Sequence, residues 1–554
     1  MNLIDDTWIP VRRHSGIRAL IAPWQIAESD DPVIAIDSGR PDFDDALFQF
    51  LIGLLQTLCA PTDELDWADR LDPPAVERLR ERFATVADAF GLDGDGPRFM
   101  QDFDAKLGPA ENDIDSLLIE APGGQTKRNN ADHFIKGGLV GGICPACAAQ
   151  ALLTLNTNAP AGGAGIRTSL RGGGPLTTLL RFDPQARRDG QPVMLWHDLW
   201  LNVLTRQRFF GHWHGADDAR AWFPWLSPTR TSEKNEQITA ADAHPAVAFW
   251  ATPRRIRLDW SSTTAGHCDL CGAESERLVQ RYASRPRGAN YTTWLHPLSP
   301  YYRLKATSTE WLPQHPQPGG IGYRHWPELL FGDEASTRRP AAVIVEKTDR
   351  VLGEVDPQRW NTGLPLQLWA GGYDMDNMKA RCWYEARMPV FTSGKPEVRK
   401  ELRHLSAQFV EAAGLVRACL GSAVRAAWFA RPADAKGDFG FLDRAFWDAT
   451  ETPFFRLVQT LSGIDLTRDA SDALRLQARE SWLQTLRTTA RHLFNLWADS
   501  GGFDARKPER LAAARDQLGS QLNGPKLRTV LGLPVPLNEK DRKPARRARK
   551  ESST

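Results

Sequence analysis

Cysteine is scarce and odd in number: seven in 554 residues, at positions 59, 144, 147, 268, 271, 382 and 419. An odd count excludes a fully paired disulfide framework. No uninterrupted apolar run approaches the roughly 20 residues a bilayer requires. The greasiest stretch, ALFQFLIGLLQTLCA at 46–60, is broken by Gln49, Gly53, Gln56 and Thr57 and reads as a buried core helix. Neither sign of charge is in excess, since 69 Lys and Arg face 68 Asp and Glu. A polycation is thereby excluded, and any nucleic-acid surface must be a local patch. Catalytic signatures are missing too. Without H-E-x-x-H, G-x-S-x-G, G-x-G-x-x-G or a Walker lysine, the zincin, serine-hydrolase and nucleotide-pocket readings have no anchor. The opening MNLIDDTWIPVRR has no basic-then-apolar export pattern, so a reducing cytoplasm is the expected compartment.

What is abundant is tryptophan, with 20 residues. Most are expected to anchor cores, and a few could serve as stacking platforms for bases. A chain this long exceeds one hydrophobic core, so at least two domains are expected. Residues 1–390 are rich in Gly and Pro, with short apolar runs such as PLTTLLRF (175–182) and AAVIVEK (341–347) between long polar connections. That texture predicts a large, irregular α+β domain. From about 391 to 538 the pattern becomes helical. Leu402, Leu405, Phe409, Ala413, Val416 and Leu420 recur at spacings of three and four, as do Trp482, Leu486, Ala490, Leu493 and Trp497. Two further candidates, 441–463 and the segment from Pro508, complete a predicted four-helix bundle. Pro453 is expected to kink or divide the first of them. The end, 539–554, carries seven Lys or Arg and reads as a disordered basic tail.

Two Cys-x-x-Cys turns carry the clearest chemistry. Cys144 and Cys147 in GGICPACAAQ, and Cys268 and Cys271 in GHCDLCGAES, each supply half of a tetrahedral zinc site. The 120 residues between the pairs close at a cost of about 4 kcal/mol. A structural zinc contributes roughly 10–16 kcal/mol, so a long-range staple is expected; four sulfurs leave no open position for water. Two redox or buried cysteine pairs are the competing reading. Downstream of each turn lies an unusual loop. APAGGAGIRTSLRGGG (159–174) is dense in glycine, which lets a backbone approach another molecule closely. SRPRGANYTTW (284–294) offers Arg285 and Arg287. Ala161 lies 14 residues after Cys147 and Arg285 lies 14 after Cys271, so one zinc could present both loops on the same side, as a DNA-facing pair. His197, Asp198, His212 and His214 are the residues a hydrolytic alternative would use, although histidines in Trp-rich segments are more often packed core residues.

These landmarks resemble the CasA family, the large subunit of the type I-E CRISPR surveillance complex Cascade. The resemblance rests on NLIDDTWIPV, CPAC, NAPAGGAGIRTSLRGGGPLTT, CDLC, WLHPLSP (294–300) and GGYDMDN (371–377), spanning residues 2–377. It implies a non-enzymatic DNA reader. Such a subunit recognises the protospacer-adjacent motif in double-stranded DNA, wedges the strands apart to start an R-loop, and helps recruit a helicase-nuclease. The crRNA held by its partner subunits reads the target sequence. The resemblance carries the family's glycine loop onto Ala161, Gly162, Gly163, Ala164 and Gly165. Its groove-inserting cation falls on Arg285, with Arg287 as the alternative, and its strand wedge on Asn377, between Asp376 and Met378. Asn377 is shorter than the glutamine relatives can have, and Asp376 would repel phosphates. The segment KRNNADHFIKGG (127–138) matches a family loop near the guide end of the complex. There Lys127, Arg128 and Lys136 would contact phosphates while His133 and Phe134 dock or stack.

Overall fold

In the computed structural model, the interrupted greasy stretch lies within a single helix, Pro41–Cys59. Proline occupies its first turn, and Asp42 and Asp44 sit at the positive end of the helix dipole. Its side chains are buried almost all round, the mark of a central helix. The structure describes residues 1–123, 128–129, 138–185, 187–188, 191–211, 213–333, 335–348, 365–376, 378–393, 395–434, 436–498 and 507–535. The chain divides into two units, Met1–Val390 and Phe391–Thr554. Among the described residues no helix is long and apolar enough to cross a membrane.

The first unit is a mixture of short helices and small antiparallel sheets, an α+β arrangement. Helix Pro41–Cys59 packs on helix Pro145–Asn158 and on Leu195–Trp200. Phe50 is edge-on to Trp8, Phe90, Phe99 and Trp250, with centroids 5.2–6.0 Å apart. Seven tryptophans of this unit, Trp8, Trp67, Trp196, Trp200, Trp225, Trp250 and Trp326, are almost fully buried, as expected of core anchors. Their indole N–H groups find backbone carbonyls or side chains, since a buried donor left unpaired is costly. Trp67 and Trp200 donate to one another's carbonyls over 3.1 and 2.8 Å. Of the two apolar runs, Thr177–Phe182 is a strand and Ala342–Glu346 a short helix.

Two sheets position the site. Arg281–Arg285 lies between Asn112–Asp113 and Arg255–Leu258. Leu366–Asp376 lies between Thr177–Phe182 and Lys379–Pro389. Behind the first sheet, Arg255 pairs with the buried Asp102 at 2.7 Å and Arg257 donates to the Asp102 carbonyl at 2.9 Å.

The second unit contains helices Pro396–Trp428, Gly440–Ser462, Asp472–Ala498 and Pro508–Asn523, with a short Pro525–Val530 after them. The first packs on each of the other four. Every residue of the 402–420 stripe is buried. So are Trp482, Leu486, Ala490 and Leu493, whereas Trp497 is half-exposed. Trp482 donates to the Phe409 carbonyl at 2.9 Å, tying two of the helices together. Of the two outcomes expected at Pro453, a kink or a division, the helix is not divided there. The buried face Leu442, Phe446, Thr450, Phe454, Val458 and Leu461 keeps its register across the proline, and its burial outweighs the one hydrogen bond lost. The tail 539–554 lies outside the described residues.

Candidate metal centre and nucleic-acid interface

Cys144 is the N-cap of helix Pro145–Asn158, with proline in the first turn and Cys147 one turn in. Its Sγ accepts from the Cys147 N–H at 3.5 Å. A Cys-Pro-x-Cys sequence therefore starts a helix and points two sulfurs the same way. The second pair sits on the turn joining strands Thr264–His267 and Glu274–Leu278. Gly272 takes φ +73° there, a conformation that suits a residue without Cβ, and its N–H donates to the Cys268 carbonyl at 2.8 Å. Asp269 closes one turn onto the other. Its Oδ2 accepts from the N–H groups of Gly141 and Gly142 at 2.7 and 2.8 Å. Ile143 and Val279 exchange backbone hydrogen bonds beside it.

This closure brings all four sulfurs within 4.8 Å of one another. Cys144 Sγ and Cys271 Sγ are 3.8 Å apart. Four sulfurs at the usual zinc–sulfur length of about 2.3 Å stand roughly 3.8 Å from each other, so donor type and spacing fit a tetrahedral metal. Cys144, Cys147 and Cys268 are buried, and Cys271 is exposed. The thiols titrate against one another: hydrogen bonds from Cys144 and then Cys147 drive Cys268 far below the ordinary thiol range. Cys147 is driven far above it by its hydrogen bonds with Cys144 and Cys268 and by burial.

The glycine loop and the arginine turn meet directly. Arg287 N–H donates to the Gly165 carbonyl at 2.5 Å. Gly163 and Gly165 have φ of +97° and +78°, and Arg287 itself sits at +63°. A Cβ on Gly165 would stand 3.1 Å from Arg287 Cγ and 3.2 Å from Pro286 Cβ, so only glycine fits without displacement. Gly162, Gly163 and Ala164 are exposed, with Ala161 and Gly165 partly covered. Arg285 and Arg287 are also exposed. Arg285 reaches the Lys106 carbonyl at 3.3 Å and Asp104 at 3.8 Å, and Arg287 the Glu233 carbonyl at 3.3 Å. These tethers end in solvent, where a phosphate could replace them at little cost.

Ser232 and Arg254, which no sequence motif marks, hold this arrangement together with Arg171. Ser232 accepts from Arg167 Nε at 2.8 Å, donates to the Gly288 carbonyl at 2.8 Å, and its N–H reaches the Arg287 carbonyl at 3.1 Å. Arg254 donates to the Pro160 carbonyl at the foot of the glycine loop. Arg171, inside the glycine run, is an internal anchor rather than a surface cation. It is buried and donates to Gln49, Ser299 and Thr177 over 2.5–3.2 Å. No short-range pattern marks Ser232 or Arg254, whose partners lie 55 to 94 residues away.

The hairpin Leu366–Asp376 and Lys379–Pro389 ends with Asp376 opposite Lys379. Arg381 binds Asp374 at 2.6 Å and approaches Asp376 at 3.9 Å, so one cation serves both carboxylates. Met378 is exposed at 46%. Asn377, Lys127, Lys136, His133 and Phe134 lie outside the described residues, as does His212; Arg128 is exposed. The remaining hydrolytic candidates are not gathered into a site. His197 Nδ1 accepts from the Met194 N–H at 3.0 Å, as part of a helix start. Asp198 accepts from Phe182 N–H and Arg181 Nε, both at 2.9 Å, which fastens the helix to a strand. His214 is exposed.

The chain resembles several solved structures along nearly its whole length. Thermus thermophilus CasA (Cse1) is 18% identical with a TM-score of 0.65, over 94% of this chain and 99% of that one. Thermobifida fusca Cse1 is 15% identical with a TM-score of 0.66, over 96% and 98%. A chain of a CRISPR RNA-guided surveillance complex is 15% identical with a TM-score of 0.65, over 95% and 99%. At such identities the likeness is one of fold. The family of CRISPR-associated protein Cse1 matches residues 2–493. The chain belongs to the CRISPR-associated Cse1 family.

Proposed function

We propose that this chain is the large, non-catalytic subunit of a crRNA-guided Cascade complex of type I-E, acting in the cytoplasm as part of antiviral defence. It reads the protospacer-adjacent motif in double-stranded DNA, separates the strands beside it to begin the R-loop, and helps recruit the helicase-nuclease. Family membership supports the assignment to Cascade, as does the likeness to a chain of an RNA-guided surveillance complex. The observation that carries the DNA-reading role is the hydrogen bond between Arg287 and Gly165. It joins an exposed, glycine-bearing backbone to a turn with two exposed arginines, a surface that can approach a groove closely and meet its charge.

In this reading Ala161, Gly162, Gly163, Ala164 and Gly165 offer main-chain contacts, while Arg285 or Arg287 enters the minor groove. That groove distinguishes base pairs poorly, so several related motifs are tolerated. Asp376, Asn377 and Met378 form the wedge, and Lys127, Arg128 and Lys136 contact phosphates. Zn²⁺ held by Cys144, Cys147, Cys268 and Cys271 staples the recognition domain, 1–390. Residues 391–538 form a four-helix bundle that meets partners, and 539–554 a basic tail. The test is the affinity of the guide-loaded complex for target duplex, with and without this chain, on DNA carrying or lacking the motif. Added affinity only with the motif is the expected result; equal or no gain on both duplexes overturns the reading.

A further inference from the structure

A cavity of about 340 Å³ lies next to the end of the glycine run, and the reading above gives it no role. Tyr302, Gln314, His315, His325, Glu328 and Arg338 line it. Two contacts tie it to the elements assigned to DNA. His315 Nδ1 is 3.3 Å from the Gly174 carbonyl oxygen. The loop carrying His315 also brings Gly320 against the hairpin, where an added Cβ would stand 3.3 Å from the Tyr384 ring.

The lining selects a class of ligand. Arg338 Nε is 3.4 Å from Glu328 Oε2, so the one guanidinium is already balanced by the one carboxylate. Burial pushes the imidazole of His315 down and that of His325 to about 4, the latter helped by Arg324, so both are neutral at pH 7. A phosphate entering here would meet the Glu328 carboxylate without a surplus cation. A flat, neutral, hydrogen-bonding group meets no such opposition. The Arg338 guanidinium lies 5.1 Å from the Tyr302 ring centroid, and guanidinium planes and aromatic rings are the usual stacking partners of unpaired bases. The volume lies in the range of small-ligand sites. Among the bases, guanine presents two adjacent N–H donors that one carboxylate accepts together. Thymine offers a single N–H between two carbonyl oxygens, which the carboxylate repels.

We propose that this cavity receives a single unstacked guanine from a DNA strand separated at the neighbouring hairpin, with Glu328 accepting from its N–H edge and the base stacking on the outer face of the Arg338–Tyr302 pair. The proposal rests on the reading of the chain as a duplex opener. Its test has two arms. In the first, the full chain is dialysed against dGMP and dTMP. Saturable dGMP binding is expected, about tenfold weaker for dTMP and for a Glu328→Gln chain with unchanged thermal unfolding and zinc content. In the second, the guide-loaded complex receives motif-bearing duplexes with 6-thioguanine at successive guanines and is irradiated. A crosslink to a peptide within 302–338 is expected from one position and only with the motif. A crosslink without free dGMP binding supports the proposal, because the strand supplies the effective concentration. dGMP binding without the crosslink marks a free-nucleotide site and overturns the strand assignment. Both arms blank with motif-dependent duplex binding intact overturns the pocket alone. Loss of motif dependence in the same samples overturns the duplex-opening role and the pocket with it.

Discussion

The backbone N–H of Arg287 donates to the carbonyl oxygen of Gly165 across 122 positions of sequence, over 2.5 Å. Both residues have positive φ, +63° and +78°, so two turns of unusual backbone are locked face to face. Their relation makes the glycine loop and the arginine turn one surface rather than two.

Gly165→Ala places a side chain in a left-handed conformation and against Arg287, at a cost of about 1–2 kcal/mol in strain before any collision. Gly163→Ala meets the same backbone penalty, but nothing lies within 4 Å of its Cβ. Chemical denaturation is expected to rank Gly165→Ala as the more destabilising. Equal values would mean that the contact with Arg287 yields without cost.

Arg285→Ala combined with Asn377→Ala is expected to lower motif-dependent target binding about tenfold or more, with assembly of the complex intact. If Arg285 meets phosphate as well as groove, the salt dependence of binding falls by about one ion for the single variant. Unchanged affinity and slope would remove both assignments.

Elemental analysis of the purified chain is expected to return about one zinc per molecule. Cys268→Ser should lower that content and the melting temperature together, because metal binding to a site absent from the unfolded chain is folding free energy. Protons compete with the metal for thiolates, so retention should weaken as pH falls. A metal-free chain with an unchanged melting curve would refute the staple.

Asp45 is buried at 3% exposure in the central helix, and burial raises its carboxyl to about 7, against the opposing pull of Arg171. Between its unfolded value near 4 and about 7 the folded chain holds a proton that the unfolded chain releases, so this residue's effect on stability becomes less favourable as pH rises. Asp45→Asn removes that dependence. Its stability relative to the parent should be greater at pH 8 than at pH 5, by on the order of 2 kcal/mol in urea unfolding. A pH-independent difference would refute this account of Asp45.

Pro453 lies inside the unbroken helix Gly440–Ser462 and withholds one backbone donor. Pro453→Ala is expected to raise stability by roughly 1–3 kcal/mol, read as an upward shift of the unfolding midpoint. A neutral or destabilising result would mean that the surrounding helices have adapted to the proline ring.

Much of the molecule was legible from local pattern. The helical stripes around Phe409 and Trp482, the core helix about Phe50 and the burial of ten tryptophans among the described residues follow from period and hydrophobicity, which neighbours in sequence determine. The continuity through Pro453 was not legible, because the proline rule is local while the burial that overrides it comes from packing on other helices. The four cysteines could be paired on ligand chemistry alone, since two Cys-x-x-Cys turns are each half of one coordination shell. Their convergence to within 4.8 Å was decided by Asp269 gripping Gly141 and Gly142, a contact 128 and 127 residues long. In the same way sequence marked the glycines and Arg285 and Arg287 as unusual, but gave Arg171 no role of its own. Tertiary structure buried Arg171 beside Gln49 and set Ser232 between the loops, because hydrogen-bond partners are chosen by distance in space, which residue order does not encode.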